Sequence, residues 1–196
     1  MEKLSENFYE ENDENEKVFQ RYVENLELTS EDFDKKILDI GSGYGGFSKW
    51  AKDHNVSSEI YSIDLWETPK EKENSVNGSA EELPFKNDSF DLIVSNCAIP
   101  NVIDVEKIEK ALSEAIRVTK PGGEIRLARV LEGGLYEPQK IRKQEVDSIL
   151  EKLKNKDLKI QKIRQPHGDA YEYDESGNAT RVLSEAYLLK IKKPET

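Results

Sequence analysis

Residues 37–47 run Ile37-Leu38-Asp39-Ile40-Gly41-Ser42-Gly43-Tyr44-Gly45-Gly46-Phe47, and a helical pattern follows. An apolar run, an acidic side chain and a glycine-rich turn therefore stand in direct succession. Strand, glycine turn and helix in that order build a nucleotide-like ligand site in parallel α/β sheets. Glycine lets the backbone turn tightly and lets a ligand reach main-chain N–H groups without a Cβ in between. Read alone, Gly41-x-Gly43-x-x-Gly46 also fits a dinucleotide fingerprint. Asp39, two residues before the first glycine, and Asp64, at the end of the next apolar run, narrow the reading. An acidic side chain at that strand end can accept hydrogen bonds from both hydroxyls of a ribose.

These residues need a sheet to position them. Val18, Phe19, Tyr22, Val23 and Leu26 recur at helical spacing, after an acidic stretch to about residue 15 that is expected to be loosely attached. Lys35–Ile40, Glu59–Leu65, Ser75–Gly78, Phe90–Ser95 and Glu124–Val130 read as five strands. Phe90–Ser95 is almost continuously apolar after Asp91, as a central strand should be. Helices are expected over Phe47–His54, Val105–Thr119 and around Val146–Leu153. Pro121-Gly122-Gly123 stops the second of these. Trp66–Asn74 is a thin crossover, and Leu158–Arg164 with Ala186–Ile191 are the last two strands. Asp91 falls at the end of its strand away from the ligand edge, which gives it a structural role.

The chain has 196 residues, 36% hydrophobic and 35% charged, enough for one domain with a full core. It carries a net charge of −11, and nucleic-acid binders draw affinity from basic faces, so nucleic acid is not the expected partner. No apolar run approaches the roughly 20 residues of a membrane span. The N-terminus lacks a signal-peptide pattern, and the single cysteine, Cys97, fits a reducing compartment; a cytoplasmic location is expected. No metal-ligand spacing is visible, and no metal is expected.

Four segments in order complete a pattern. They are the Asp39 glycine loop, Asp64, Asn77-Gly78-Ser79-Ala80-Glu81-Glu82-Leu83-Pro84-Phe85 with Asp88–Val94, and Val118-Thr119-Lys120-Pro121-Gly122-Gly123. Together they resemble the class I S-adenosylmethionine-dependent methyltransferases over about Lys36–Ala128. The resemblance implies a Rossmann-like, mostly parallel seven-stranded sheet with helices on both faces. Its implied order is 3-2-1-4-5-7-6, the last strand antiparallel. It divides the chain into an N-terminal segment with a lid helix, residues 1–34, and a methyltransferase-like domain, residues 35–196. It implies S-adenosyl-L-methionine as cofactor. The glycine loop, Asp39, Gly41, Ser42 and Gly43, would hold the methionine end and ribose; Asp64 would bind the ribose, and Leu65 would line the adenine pocket. Ser79 stands where the family carries an acidic residue near the adenine amine, with the Ala80 backbone beside the ring. Ser95-Asn96-Cys97 would lie beside the transferring methyl, so Asn96 is a cofactor-side and acceptor-side candidate together.

The acceptor side is less legible. A loop after Leu158–Arg164 would open on the ligand edge with Gln165, Pro166, His167, Asp169, Tyr171 and Tyr173. His167 and Asn96 are the catalytic candidates there, and a polar hairpin without catalytic role is the plainer reading of the loop. The near-minimal core suits a small-molecule acceptor. Two other readings stay open: a methyltransferase-like module that binds cofactor or partner without catalysis, and a nicotinamide-dependent oxidoreductase.

Overall fold

The computed structural model describes residues 3–57, 59–65, 74–99, 107–132, 137–154, 157–173 and 179–195. Side chains are described in these ranges except at 3–13, 131–132, 137–143, 145–146, 167–173 and 179–185. In chain order the elements are α1 (Lys3–Leu26), a short helical turn (Ser30–Asp34), β1 (Ile37–Ile40), α2 (Gly46–Asp53), β2 (Ile60–Asp64), β3 (Ser75–Asn77) and β4 (Phe90–Asn96). Then come α3 (Ile108–Val118), β5 (Thr119–Glu132), α4 (Glu137–Lys154), β6 (Lys159–Tyr173) and β7 (Ala179–Lys192).

The seven strands form one sheet in the order β3-β2-β1-β4-β5-β7-β6. Strands β1 to β5 pair in parallel, and β7 pairs antiparallel with both β5 and β6. The expected topology is therefore the observed one. β1 is central and buried along its whole length, with Ile37 between Ile60 and Leu92. Both its faces are covered, which is why Ile37-Leu38-Asp39-Ile40 shows no polar alternation.

Helices cover both faces. α3 buries Ile108, Ala111, Leu112, Ala115 and Val118, a stripe at helical spacing, against Leu38, Ile40, Ile93 and Ile125. α4 adds Ile149, Leu150 and Leu153 to that side. On the other face α1 and α2 pack Phe19, Tyr22, Leu26, Phe47 and Ala51 against Ile37, Ile60, Leu92 and Val94. Stacked rings bind the two helices: Phe19 and Trp50 centroids lie 4.2 Å apart, and Tyr22 and Phe47 lie 4.5 Å apart.

Three expectations change. The acidic N-terminal stretch is helical from Lys3, continuous with the docked part of α1. Residues 18–26 are held by packing, and adding turns to an existing helix avoids the cost of nucleation. β5 begins at Thr119, so Pro121-Gly122-Gly123 lies within the strand span, with Gly122 at φ +74°. The residues expected as a loop after the sixth strand are strand: β6 continues to Tyr173, paired with β7 as far as Tyr173↔Ala179. Pro166 and Gly168 mark a register shift between Gln165 and Gly168 rather than an end. The thin crossover at 66–73 lies outside the described residues.

A buried ion pair anchors the end of α1. The Arg126 guanidinium, on β5, donates to Asp32 Oδ2 at 2.9 Å and Oδ1 at 3.2 Å, and to the Glu27 carbonyl at 2.9 Å. Burial alone would push the Asp32 pKa up. Hydrogen bonds from Lys35 and the Thr29 N–H, with the Arg126 charge, instead bring it from 3.8 down to about 2. Its folded pKa is the lower one, so the pair stabilises the fold above pH 3.8 and the contribution is lost as pH falls toward 2. Asp32→Asn should cost about 3 kcal/mol in urea unfolding at neutral pH. The difference between variant and wild type should shrink as the titration is repeated at lower pH.

Candidate functional site

The carboxyl ends of β1, β2 and β4 meet at a cavity of about 710 Å³, within the size range of small-ligand sites. Its wall is made by Ile40, Gly41, Gly43, Ile63, Asp64, Leu65, Gly78, Ser79, Ala80, Glu81, Asn96, Cys97, Ala98, Ile99 and Lys107.

The turn after β1 sets the shape of one side. Gly41 N–H donates to the Ile63 carbonyl at 2.9 Å, and Gly45 N–H to the Ser42 carbonyl at 3.0 Å. Gly41 sits at φ +80°, and a Cβ built there would lie 2.2 Å from the Ala98 Cβ. Only glycine lets this turn approach the segment after β4. Gly43, at φ +56°, is the reverse case, since a Cβ there meets nothing within 4 Å. It borders open space. Its N–H donates to Asp64 Oδ2 at 2.7 Å, which ties the glycine turn to the end of β2. Ser95 secures the remaining wall: its hydroxyl donates to the Ile40 carbonyl at 2.8 Å and accepts from Ile99 N–H at 3.0 Å.

Asp39 and Ser42 lie beneath the turn and are not on the wall. The Asp39 carboxylate is fully buried on the α1 face of the sheet, where Tyr22 Oη donates to Oδ1 at 3.3 Å. Asp39 Oδ2 and Ser42 Oγ are buried with no hydrogen-bond partner among the described residues. Such groups are costly unless something supplies a partner. Burial pushes the Asp39 pKa from 3.8 up to about 8; the Tyr22 hydroxyl opposes the rise and the Asp64 charge adds to it.

The other expected residues, Gly41, Gly43, Asp64, Leu65, Ser79, Ala80 and Asn96, all line the cavity. Leu65 is an apolar side chain left 73% exposed at its rim. Asn96 Oδ1 accepts from Asn25 Nδ2 at 3.0 Å, which links the segment after β4 to α1. The backbone of His167 is in β6, and its side chain lies outside the described residues. Cys97 lines the wall at φ +65° and is exposed; partial desolvation raises its thiol pKa against the pull of Arg129 and Arg21. It is a thiol at neutral pH, not an activated nucleophile. Asp91 is structural as expected, with Oδ1 2.7 Å from Lys120 Nζ and Oδ2 accepting from Lys36 N–H at 3.1 Å.

Sequence reading missed Glu81, Lys107, Tyr22 and Asn25. Glu81 Oε1 accepts from the Ser79 hydroxyl at 3.3 Å and pairs with Lys107 Nζ at 3.3 Å. A carboxylate therefore stands two residues after the serine that departs from the family pattern. The Glu81-Glu82 doublet was the only local signal, and it does not say which of the two faces inward.

A glycine turn, a strand-end aspartate and a cavity at the carboxyl ends of the first, second and fourth strands form a Rossmann-like site for a nucleotide-like ligand. Comparison with known proteins agrees. Residues 38–127 match the family described as "Methyltransferase domain". Over those residues the chain resembles the class I S-adenosylmethionine-dependent methyltransferases. It is 35% identical over 133 residues to the malonyl-[acyl-carrier protein] O-methyltransferase of Buchnera aphidicola, covering 64% of this chain and 53% of that protein. It is 32% identical over 101 residues to the sarcosine/dimethylglycine N-methyltransferase of Aphanothece halophytica, covering 45% and 35%. With the ubiquinone/menaquinone biosynthesis C-methyltransferase of Rickettsia massiliae it shares 38% over 117 residues, covering 50% and 46%. The chain thus spans about half or less of the length of these relatives. The same fold occurs in the YcgJ protein of Bacillus subtilis, with a TM-score of 0.58 at 20% identity, covering 88% of this chain and 99% of that one. It also occurs in a SAM-dependent methyltransferase of Methanosarcina mazei, with a TM-score of 0.52 at 17% identity, covering 91% and 98%.

The raised pKa of Asp39 has a sign that can be measured. Its folded pKa lies above its unfolded one, so its contribution to stability is complete below pH 3.8 and is lost as pH rises to about 8. Asp39→Asn should remove that part of the decline. The variant should gain on wild type in thermal unfolding as pH rises through this window, and a constant difference would contradict the assignment.

Proposed function

We propose that this protein transfers the methyl group of S-adenosylmethionine to a small-molecule acceptor. The observation that carries the reading is the joint between the glycine turn and β2, where Asp64 accepts from Gly43 N–H at 2.7 Å beside open space. Asp64 would take the ribose, Leu65, Ser79 and Ala80 the adenine, and Gly41 and Gly43 the methionine portion. The orphaned Asp39 Oδ2 and Ser42 Oγ fit this assignment, as polar atoms kept under the turn where a polar ligand approaches.

The cofactor supplies a methyl already activated by a sulfonium. The protein then has to hold the acceptor in line and exclude water, and such positioning can supply about 7–11 kcal/mol of a barrier. Asn96, held by Asn25 of α1 on the cavity wall, would orient the acceptor. A dedicated base is required only for an acceptor that must lose a proton. Relatives named for O-, N- and C-methylation leave the acceptor atom open. The net charge of −11 argues against a nucleic-acid acceptor. Among the described residues no helix is long and apolar enough to cross a membrane. A cytoplasmic enzyme acting on a metabolite is the reading these features support.

Calorimetric titration with S-adenosylmethionine, S-adenosylhomocysteine and NADH tests it. The first two should bind and NADH should not. Binding of NADH alone would favour an oxidoreductase, and no binding at all would favour a module without catalysis. Asp64→Ala should weaken S-adenosylhomocysteine by about 1.5–3 kcal/mol, the range for hydrogen bonds to a charged group. If Asp64 only braces the turn, thermal stability will fall and affinity in the folded variant will not.

A further inference from the structure

Asn96 ends β4 on the cavity wall, and its side chain is held through one atom. Asn25 Nδ2, on α1, donates to Asn96 Oδ1 at 3.0 Å. The Cys97 thiol donates to the same oxygen at 3.6 Å. A primary amide carries an acceptor oxygen at one end and two N–H donors at the other. With Oδ1 engaged by α1 and Cys97, the donor end is left for the cavity. Asn96 Nδ2 has no hydrogen-bond partner among the described residues.

The residues that set this orientation are themselves fixed. Asn25 lies in the last turn of α1, and its carbonyl accepts from Gln165 Nε2 of β6 at 2.5 Å. Gln165 Oε1 accepts from Arg129 N–H of β5 at 3.0 Å. Three elements thus hold Asn25 against the end of β4. Cys97 is tied by its own N–H, which donates to the Ala128 carbonyl at 3.1 Å. It has φ +65°, a left-handed conformation that a residue other than glycine adopts unwillingly. A side chain that orients a ligand does so only when its neighbours lock its own geometry, and here they do.

We propose that the methyl acceptor presents a carbonyl oxygen to Asn96 Nδ2, and that Asn25 and Cys97 are positioning residues that keep the amide turned that way. The proposal rests on the methyltransferase reading and deepens it by naming the group beside the reacting atom. On the β2–β3 side of the wall Asp64 and Glu81 accept hydrogen bonds, and Lys107 pairs with Glu81 at 3.3 Å. Asn96 supplies the donor on the β4 side. The carbonyl serves as a handle, and the atom that takes the methyl is its neighbour. A carboxylic acid's second oxygen, an α-carbon or an adjacent amine can fill that place. One directed hydrogen bond fixes where the neighbour sits, which is the positioning that the transfer requires.

The test uses the full chain saturated with S-adenosylhomocysteine. It is titrated with acetophenone and with α-methylstyrene, the same shape with a methylene in place of the carbonyl oxygen. Heteronuclear NMR follows the Asn96 side-chain amide, identified by its loss in Asn96→Asp. Acetophenone should shift that resonance saturably and bind about threefold to tenfold tighter than α-methylstyrene. The preference should vanish in Asn96→Asp, which has no N–H to offer. Asn25→Asp puts an acceptor where Asn96 now meets a donor, so the Asn96 amide should turn over and the preference should vanish there too. A purely structural role for Asn25 would weaken both probes alike and leave their ratio intact. Cys97→Ser keeps a donor and should keep the preference, and Cys97→Ala should reduce it. Equal affinity for the two probes, binding of neither, or a preference that survives Asn25→Asp would overturn the proposal while leaving the cofactor assignment standing. Failure of S-adenosylhomocysteine itself to bind would overturn the methyltransferase reading, and the proposal with it.

Discussion

The ligand edge depends on how closely the turn after β1 approaches the segment after β4. Gly41 faces Ala98 with no room for a methyl group, and its φ of +80° excludes most other residues as well. That approach closes the floor of the cavity, brings Gly43 N–H to Asp64, and leaves Asp39 without solvent. Parallel strands place every one of these groups at the same end of the sheet. The cavity follows from strand direction, and its outline follows from two glycines.

α1 is part of the site as well as a cover for the sheet. Its aromatic side chains share a core with α2 and β1, so its position is fixed by burial of apolar surface. That packing aims Tyr22 at Asp39 and Asn25 at Asn96. Arg126 then clamps the end of the helix through Asp32 and the Glu27 carbonyl. A loosened α1 would expose Asp39 and release Asn96 together, so stability of the helix and integrity of the ligand edge are linked.

Charge is distributed with the same economy. Asp91 and Lys120 meet at the far end of β4 and brace the sheet, while Asp64 and Glu81 stand at the ligand end. Two aspartates in neighbouring strands end up in opposite states. Asp91 has cationic and N–H partners that outweigh its burial and hold its pKa low, while Asp39 has one hydroxyl and is pushed up. Environment sets the role of each carboxylate.

The sequence by itself determined the elements whose cause is local. Near-continuous apolar stretches, Ile37–Ile40 around Asp39 and Leu92–Val94 after Asp91, mark strands buried on both faces, and the stripe from Ile108 to Val118 marks a helix. The glycine turn, Asp64, Ser79, Ala80 and Asn96 were legible because their positions relative to strand ends follow from chain order, which parallel strands convert into one edge. Only the tertiary structure decided the rest. Tyr22 meets Asp39 across 17 residues, Arg126 meets Asp32 across 94, and Gln165 meets Asn25 across 140. Such pairs have no period to detect, because they arise when separately formed helices and strands pack. Glu81 over Glu82, the burial of Asp39 and Ser42 behind the cavity, and the extension of β6 through Pro166 were settled the same way. Which face an element presents, and which partner strand continues beside it, are properties of the assembled core.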